Sequence, residues 1–155
     1  MNSTPATADP VSQISPYMGF KDASRAIAFY VKAFAAKELY RLTEPSGRIG
    51  HAEIAIGNAT LMLSDEYPDF GAISAQTLGG SPIALQIYVA DVDAFVARAI
   101  QAGATMLRPV KDEFYGDRAG QIADPFGYKW MVATRKERVT PQEMQRRWSA
   151  MMASA

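Results

Sequence analysis

The sequence predicts an α+β fold: two tandem βαβββ modules forming a curved, mostly antiparallel sheet around a cleft, with a further helix at the C-terminus. Three observations predict it. A helix-opening segment occurs twice at a shift of 69 residues, as Asp22-Ala23-Ser24-Arg25-Ala26-Ile27-Ala28-Phe29-Tyr30 and as Asp91-Val92-Asp93-Ala94-Phe95-Val96-Ala97-Arg98-Ala99. Each copy follows a short apolar stretch, residues 15–20 or 84–89. Each is followed by a β-hairpin pattern, with Gly57-Asn58 as the tight turn in the first half and Asp124-Pro125-Phe126-Gly127 in the second. Self-similarity at a fixed shift marks a repeated structural unit. Two open half-sheets made in this way are expected to meet around a shared cleft.

Taken in order, residues 1–11 are polar and carry Pro5 and Pro10, and are expected to form a disordered tail. Residues 14–20 read as a strand, with Pro16 marking an edge or a bulge. In residues 23–35, Ala26, Ile27, Tyr30, Val31 and Phe34 fall on one helical face. Strands are expected over 37–43, 50–56 and 60–64, and residues 65–81, with Pro68, Gly71, Gly79 and Gly80, connect the halves. The second half predicts a strand over 83–89, a helix over 91–102 ended by Gly103, a strand over 105–109, and a hairpin of 119–123 with 128–134. Thr140-Pro141-Gln142-Glu143 is a capping box with proline at the first helical position, which predicts a helix over 141–152. Its Met144, Trp148 and Met151 or Met152 are expected to pack on the domain or on a neighbouring subunit. The organisation is thus a tail (1–11), one domain (12–138, modules about 12–66 and 82–135) and a C-terminal helix (139–155).

Composition excludes several classes. With 16 basic and 16 acidic residues, and Arg146-Arg147 as the longest basic cluster, the chain has no electrostatic footprint for nucleic acid. No run of 18 apolar residues predicts a membrane span, and the polar N-terminus does not resemble a signal peptide, so a cytoplasmic protein is expected. The absence of cysteine excludes disulfides, thiolate metal sites and a cysteine nucleophile.

The ordered series His51-Ala52-Glu53-Ile54, Leu61-Met62-Leu63-Ser64-Asp65-Glu66, Leu78-Gly79-Gly80-Ser81-Pro82, Tyr88-Val89-Ala90-Asp91-Val92-Asp93, Phe114-Tyr115-Gly116-Asp117-Arg118 and Asp124-Pro125-Phe126-Gly127 resembles the vicinal oxygen chelate superfamily. That superfamily includes glyoxalase I, extradiol dioxygenases and bleomycin-resistance proteins, and the wording is similar to its PhnB-like branch over roughly residues 13–148. For metal-using members the resemblance implies four inward-facing ligands, one from the first and one from the last strand of each half. Carried onto this chain, those positions are Ser15, Met62, Ala84 and Met131. None is an ordinary ligand for a hard or borderline divalent ion, which takes imidazole or carboxylate. No metal and no other cofactor is therefore expected.

A two-residue loop at Gly57-Asn58 pairs Ile56 with Ala59, Ala55 with Thr60, Glu53 with Met62 and His51 with Ser64. Period two then gathers His51, Glu53, Ala55, Thr60, Met62 and Ser64 on one face, leaving Ile54, Ile56, Leu61 and Leu63 to cover the helices. His51, the only histidine, stands beside Glu53 on the cleft face. The pair reads either as a general base with its orienting carboxylate, or two ligands of a relocated metal, or as a polar pair satisfying each other and Ser64. Tyr17 shares the face of Ser15, and Gln86 and Tyr88 share that of Ala84; Gln86 suits orientation of a ligand or a bond to the next strand. Lys129, Met131 and Ala133 are placed on the cleft and Trp130 and Val132 in the core, with the face of Gln121 open. Tyr115, Asp117 and Arg118 are expected at the cleft mouth. There Arg118 either clamps an anionic group or joins a salt-bridge network.

The expected function is small-molecule binding of the bleomycin-resistance type, with catalytic candidates His51 and Glu53 and ligand-binding candidates Tyr17, Met62, Gln86, Tyr88, Tyr115, Arg118 and Met131. A homodimer is expected because open sheet faces and edges would otherwise stay bare. The alternative is a glyoxalase-like lyase or isomerase, or a dioxygenase, using His51 and Glu53.

Overall fold

The computed structural model describes residues 13–155; the expected tail over 1–11 lies outside the described residues. The first module runs β1 (Tyr17–Phe20), α1 (Ala23–Phe34), β2 (Lys37–Thr43), β3 (Ile49–Ile56) and β4 (Ala59–Asp65). The second runs β5 (Ala84–Tyr88), α3 (Val92–Gln101), β6 (Thr105–Asp112), β7 (Asp117–Ala123) and β8 (Lys129–Arg135), and α4 (Pro141–Ala153) closes the chain. Both helices begin where the repeated aspartate accepts from the backbone three residues on, Asp22 from Arg25 N and Asp91 from Ala94 N. The repeat extends to finer detail. The first helical amide of α1, Ala23 N, donates to Asp65 at the end of β4, and that of α3, Val92 N, donates to Thr134 near the end of β8.

Strand order is β1-β4-β3-β2 in one sheet and β5-β8-β7-β6 in the other. The β1/β4 and β5/β8 pairs are parallel and the remaining pairs antiparallel. The Gly57-Asn58 turn sets the expected register, with Ile56 opposite Ala59 and Glu53 opposite Met62. Ile54, Ile56, Leu61 and Leu63 are accordingly buried against the helix layer.

The modules do not merge into a single sheet; each keeps its own four strands, and they join through their helix sides. Phe34 packs on Phe95 and Trp130 with ring centroids 5.0 and 4.8 Å apart, and Arg98 Nε donates to Ala33 O at 2.9 Å. At the centre lies Asp124, the first residue of the Asp-Pro-Phe-Gly turn. It accepts from Tyr30 Oη (2.5 Å), Trp130 Nε1 (2.9 Å), Phe126 N (2.9 Å) and Tyr128 N (3.0 Å). Four donors satisfy a buried carboxylate that would otherwise be costly. Burial pushes its pKa up, with the hydrogen bonds opposing that shift.

Covering by two partners widens the buried arc of α1. Ala23, Phe29 and Ala33 join the expected residues in the core, whereas Val31 stays 45% exposed. The strand expected over 105–109 continues to Asp112, because register shifts around Arg108 leave Pro109 outside the ladder. The connector contains a short helix, α2 (Ala75–Leu78), capped by Ser74 and ended by Gly79 in the left-handed region. Helix α4 starts at Thr140 as expected, but the Glu143 carboxylate binds Arg146 and Arg147. Trp148 touches Phe114, while Met151 and Met152 remain exposed.

Candidate functional site

Each sheet has one face under helices and one bare. On the first module the bare face carries Tyr17 from β1, Tyr40 and Leu42 from β2, His51 and Glu53 from β3, and Met62 from β4. Tyr17 stands beside Met62 in the parallel ladder, and Tyr40 and Leu42 stand opposite Glu53 and His51. Tyr17 is 55% and Leu42 60% exposed.

The polar residues are wired together. Tyr17 Oη lies 2.8 Å from His51 Nδ1, His51 Nε2 lies 3.3 Å from Glu53 Oε1, and Tyr40 Oη donates to Glu53 Oε1 at 2.8 Å. The imidazole stands between two phenol rings, with centroids 5.4 Å from Tyr17 and 5.7 Å from Tyr40. The Tyr40 hydroxyl, then the imidazole, hold the Glu53 carboxyl below the usual carboxylate range. The same hydrogen bond raises the Tyr40 phenol. His51 and Glu53 are thus in contact, and Tyr17 takes the ring nitrogen that Ser64 was a candidate for. Beside this cluster a cavity of about 600 Å³ is lined by Tyr17, Gly19, Ser64, Tyr67, Phe70 and Ile73. Gly19 makes room for its roof, since a β-carbon there would stand 2.9 Å from Ile73 O.

The second module repeats the placement with different chemistry. Gln86 stands beside Met131, as Tyr17 does beside Met62 at the shift of 69. Gln121 pairs with Met131, which settles its face. Tyr88 Oη donates to Asp117 Oδ2 at 2.8 Å and the Arg135 guanidinium lies 4.7 Å above the Tyr88 ring. Tyr115 lines a cavity of about 430 Å³ with Tyr88, Asp117, Arg135 and Met144. Burial raises its phenol pKa. Arg118 is not brought to this face. It is the second residue of β7, one out of phase with Asp117, and reaches the helix side, where it binds Asp93 through two nitrogens (2.7 and 2.9 Å) and Asp112 at 3.2 Å.

Sequence reasoning missed Tyr40 and the Asp117–Arg135 pairing. A bulge at Leu39 shifts the parity of β2, and the connection over 44–48 is too long to fix a register from the turn.

The fold and this pair of open faces define a class. The profile of the Glyoxalase/Bleomycin resistance protein/Dioxygenase superfamily matches residues 14–132, and the chain belongs to that superfamily. It is 41% identical over 135 residues to the uncharacterized protein Rv0887c of Mycobacterium tuberculosis, covering 85% of this chain and 79% of that one. Among solved structures it is similar to TioX from Micromonospora sp. ML1 (TM-score 0.63, 25% identity, 81% of this chain and 99% of that chain). It is also similar in fold to a PhnB protein from Bacillus cereus (TM-score 0.63, 15% identity, 79% and 99%).

The residues at the inherited ligand positions do not fit a divalent metal. Ser15 precedes β1 and Ala84 opens β5, so the side chains level with Met62 and Met131 are Tyr17 and Gln86, two residues on and on the same face. A phenol, an amide and two thioethers are a poor set for zinc, nickel, manganese or iron(II). Among the described residues, no three His, Asp or Glu side chains converge in a metal-binding group.

Proposed function

We propose that this chain is a small-molecule-binding protein of the superfamily in which the usual divalent-metal site has been lost, working as a cytoplasmic homodimer. The observation that carries the reading is the donor chemistry at and beside the inherited positions: Ser15, Met62, Ala84 and Met131, with Tyr17 and Gln86 level with the two methionines, suit an apolar or aromatic ligand with one or two oriented polar groups. In the proposed dimer, the first-module face of one copy is covered by the second-module face of the other. His51, Glu53 and Tyr17 then stand across the ligand from Gln86, Tyr88 and Met131, with Tyr115 at one end. Exposed Trp148, Met151 and Met152 on α4 give the assembly further apolar surface to cover. Arg118, tied to Asp93 and Asp112, braces α3 in this reading and does not clamp an anion.

The second reading is a glyoxalase-like lyase or isomerase, or a dioxygenase, using His51 and Glu53 as base or relocated ligands; their 3.3 Å contact favours it. A thermal-shift ligand screen followed by turnover assays with and without added divalent ions separates the two. The panel is wild type, His51→Ala and Glu53→Gln. Free ligand at 100 times its Kd stabilises by about 2.7 kcal/mol, a visible melting shift. Saturable binding without metal-dependent turnover is expected. Metal-dependent turnover abolished by either substitution would sink the binding reading, as would one tightly held metal ion per chain in elemental analysis.

A further inference from the structure

The shift of 69 carries residues 66–73 onto 135–142, which run into α4, so the loop after β4 has no counterpart in the second module. That loop closes on itself. Tyr67 and Ala72 exchange backbone bonds (2.8 and 3.1 Å), Phe70 N donates to Tyr67 O and Gly71 N to Pro68 O, and Ser74 N ties the stem to Glu66 Oε1 at 2.8 Å. So braced, the loop holds Phe70 88% exposed. The cavity of about 600 Å³ lies between this loop and the sheet. Gly19 of β1, Gly50 of β3 and Ser64 of β4 line it from the strands, and Tyr17, Tyr67 and Phe70 line it with three aromatic rings. Among its lining residues Glu44 alone carries a charge, and none is basic. The Glu44 carboxylate accepts from Tyr67 Oη at 2.7 Å and from Ser46 Oγ at 3.1 Å, bonds that hold its carboxyl below the usual range. Arg48 lies outside the lining, 4.0 Å over the Tyr67 ring, where its guanidinium donates to Glu66 O.

We propose that this cavity is a binding site for small organic ammonium ions, with Tyr17, Tyr67 and Phe70 as an aromatic cage and Glu44 as the counter-charge. The class follows from what the walls offer. Aromatic rings are negative on their faces and attract a cation most when it is weakly hydrated, as an alkylated ammonium is. By accepting the Tyr67 hydrogen, the Glu44 carboxylate adds electron density to that ring, and Arg48 already lies on one of its faces. An anion would meet Glu44 with no lysine or arginine among the lining residues to offset it. An uncharged apolar ligand would gain nothing from the carboxylate. Tyr17 contributes its ring, since its hydroxyl is engaged with His51. The site is built on the connector and goes beyond the symmetric cleft: Tyr17 is the only residue it shares with the ligand set around Met62 and Gln86.

Choline and its uncharged isostere 3,3-dimethylbutan-1-ol, each titrated into the isotope-labelled full chain and followed by amide NMR, separate charge from shape. The amide signals of Gly19, Gly50 and Gly71 report the cavity. Saturable shifts of all three are expected with choline, at an affinity about ten-fold or more above that for the alcohol and falling with added salt. Phe70→Leu keeps an apolar side chain and Glu44→Gln keeps the shape. Both positions are exposed, so circular dichroism should show the fold unchanged. Each substitution is expected to weaken choline about five-fold or more and to leave the alcohol within about two-fold. Equal affinities for choline and the alcohol overturn the ammonium class. Choline binding indifferent to both Phe70 and Glu44 overturns the cage. Shifts confined to residues 84–88 and 129–135 overturn the site and favour the symmetric cleft instead. No saturable shift at the three glycines overturns site and class together.

Discussion

Removing one oxygen, in Tyr30→Phe, tests how the modules are held together. Tyr30 is fully buried, and its ring packs on Phe34 and Trp130, so phenylalanine keeps the packing and leaves no cavity. What is lost is the 2.5 Å bond to Asp124, a side chain only 5% exposed. A hydrogen bond to a charged group contributes about 1.5–3 kcal/mol. Trp130 Nε1 and two backbone amides still serve the carboxylate, so we expect about 2 kcal/mol. For a chain of this size that is roughly 4–8 °C in Tm. Burial raises the Asp124 pKa, so a protonated Asp124 favours folding below the unfolded-state value, and this contribution is lost as pH rises through the folded value. The Tyr30 bond opposes that loss by favouring the charged form. Tyr30→Phe should therefore cost more at neutral pH than in acid. Urea unfolding followed by tryptophan fluorescence at both pH values is the assay. A neutral-pH change within about 0.5 kcal/mol, or a larger cost in acid, would refute the view that this bond ties the modules.

Three further outcomes follow from the structure. Gly116→Ala should cost about 1–3 kcal/mol in chemical denaturation. Gly116 has φ +96°, and a β-carbon would stand 2.6 Å from Glu137 O and 2.8 Å from Val139 Cγ2. Hydrogen bonds from Ser74 and Thr77 hold Glu66 at about 2, so its stabilisation is present above the unfolded value and lost as pH falls toward 2. Glu66→Gln should flatten the acid limb of an unfolding curve followed by circular dichroism. Light scattering at micromolar concentration should give the mass of a dimer, and charged substitutions at Leu42 or Met131 should shift it toward the monomer.

The placement of the first-module face was legible because one local feature fixed it. A two-residue turn at Gly57-Asn58 sets every pairing of β3 with β4, and with it the side on which His51, Glu53 and Met62 emerge. The shift of 69 carried the same reading to Gln86 and Met131. Tyr40 was hidden because an unpaired Leu39 reverses the alternation of β2, and no residue type announces such a bulge. The position of Arg118 beside Gly116 suggests the cleft mouth and leaves open an anion clamp or a salt-bridge network; the structure has it in ion pairs with Asp93 and Asp112. Its side chain follows strand alternation, which sends it and Asp117 to opposite faces. The joining of modules through their helices was also hidden. A helix covered on two sides, as α1 is, has no narrow stripe, and Phe29 and Ala33 reveal the second contact only once Asp124 and Phe126 are seen against it.

Each chain carries both kinds of open face and closes neither. In the proposed dimer, every cleft is then the joint product of two polypeptides, with one copy supplying Tyr17 and His51 and the other Gln86 and Met131. Inheritance follows from this geometry. Two alleles, one damaged at Tyr17 and the other at Gln86, would each be inactive alone yet restore one sound cleft in every mixed pair.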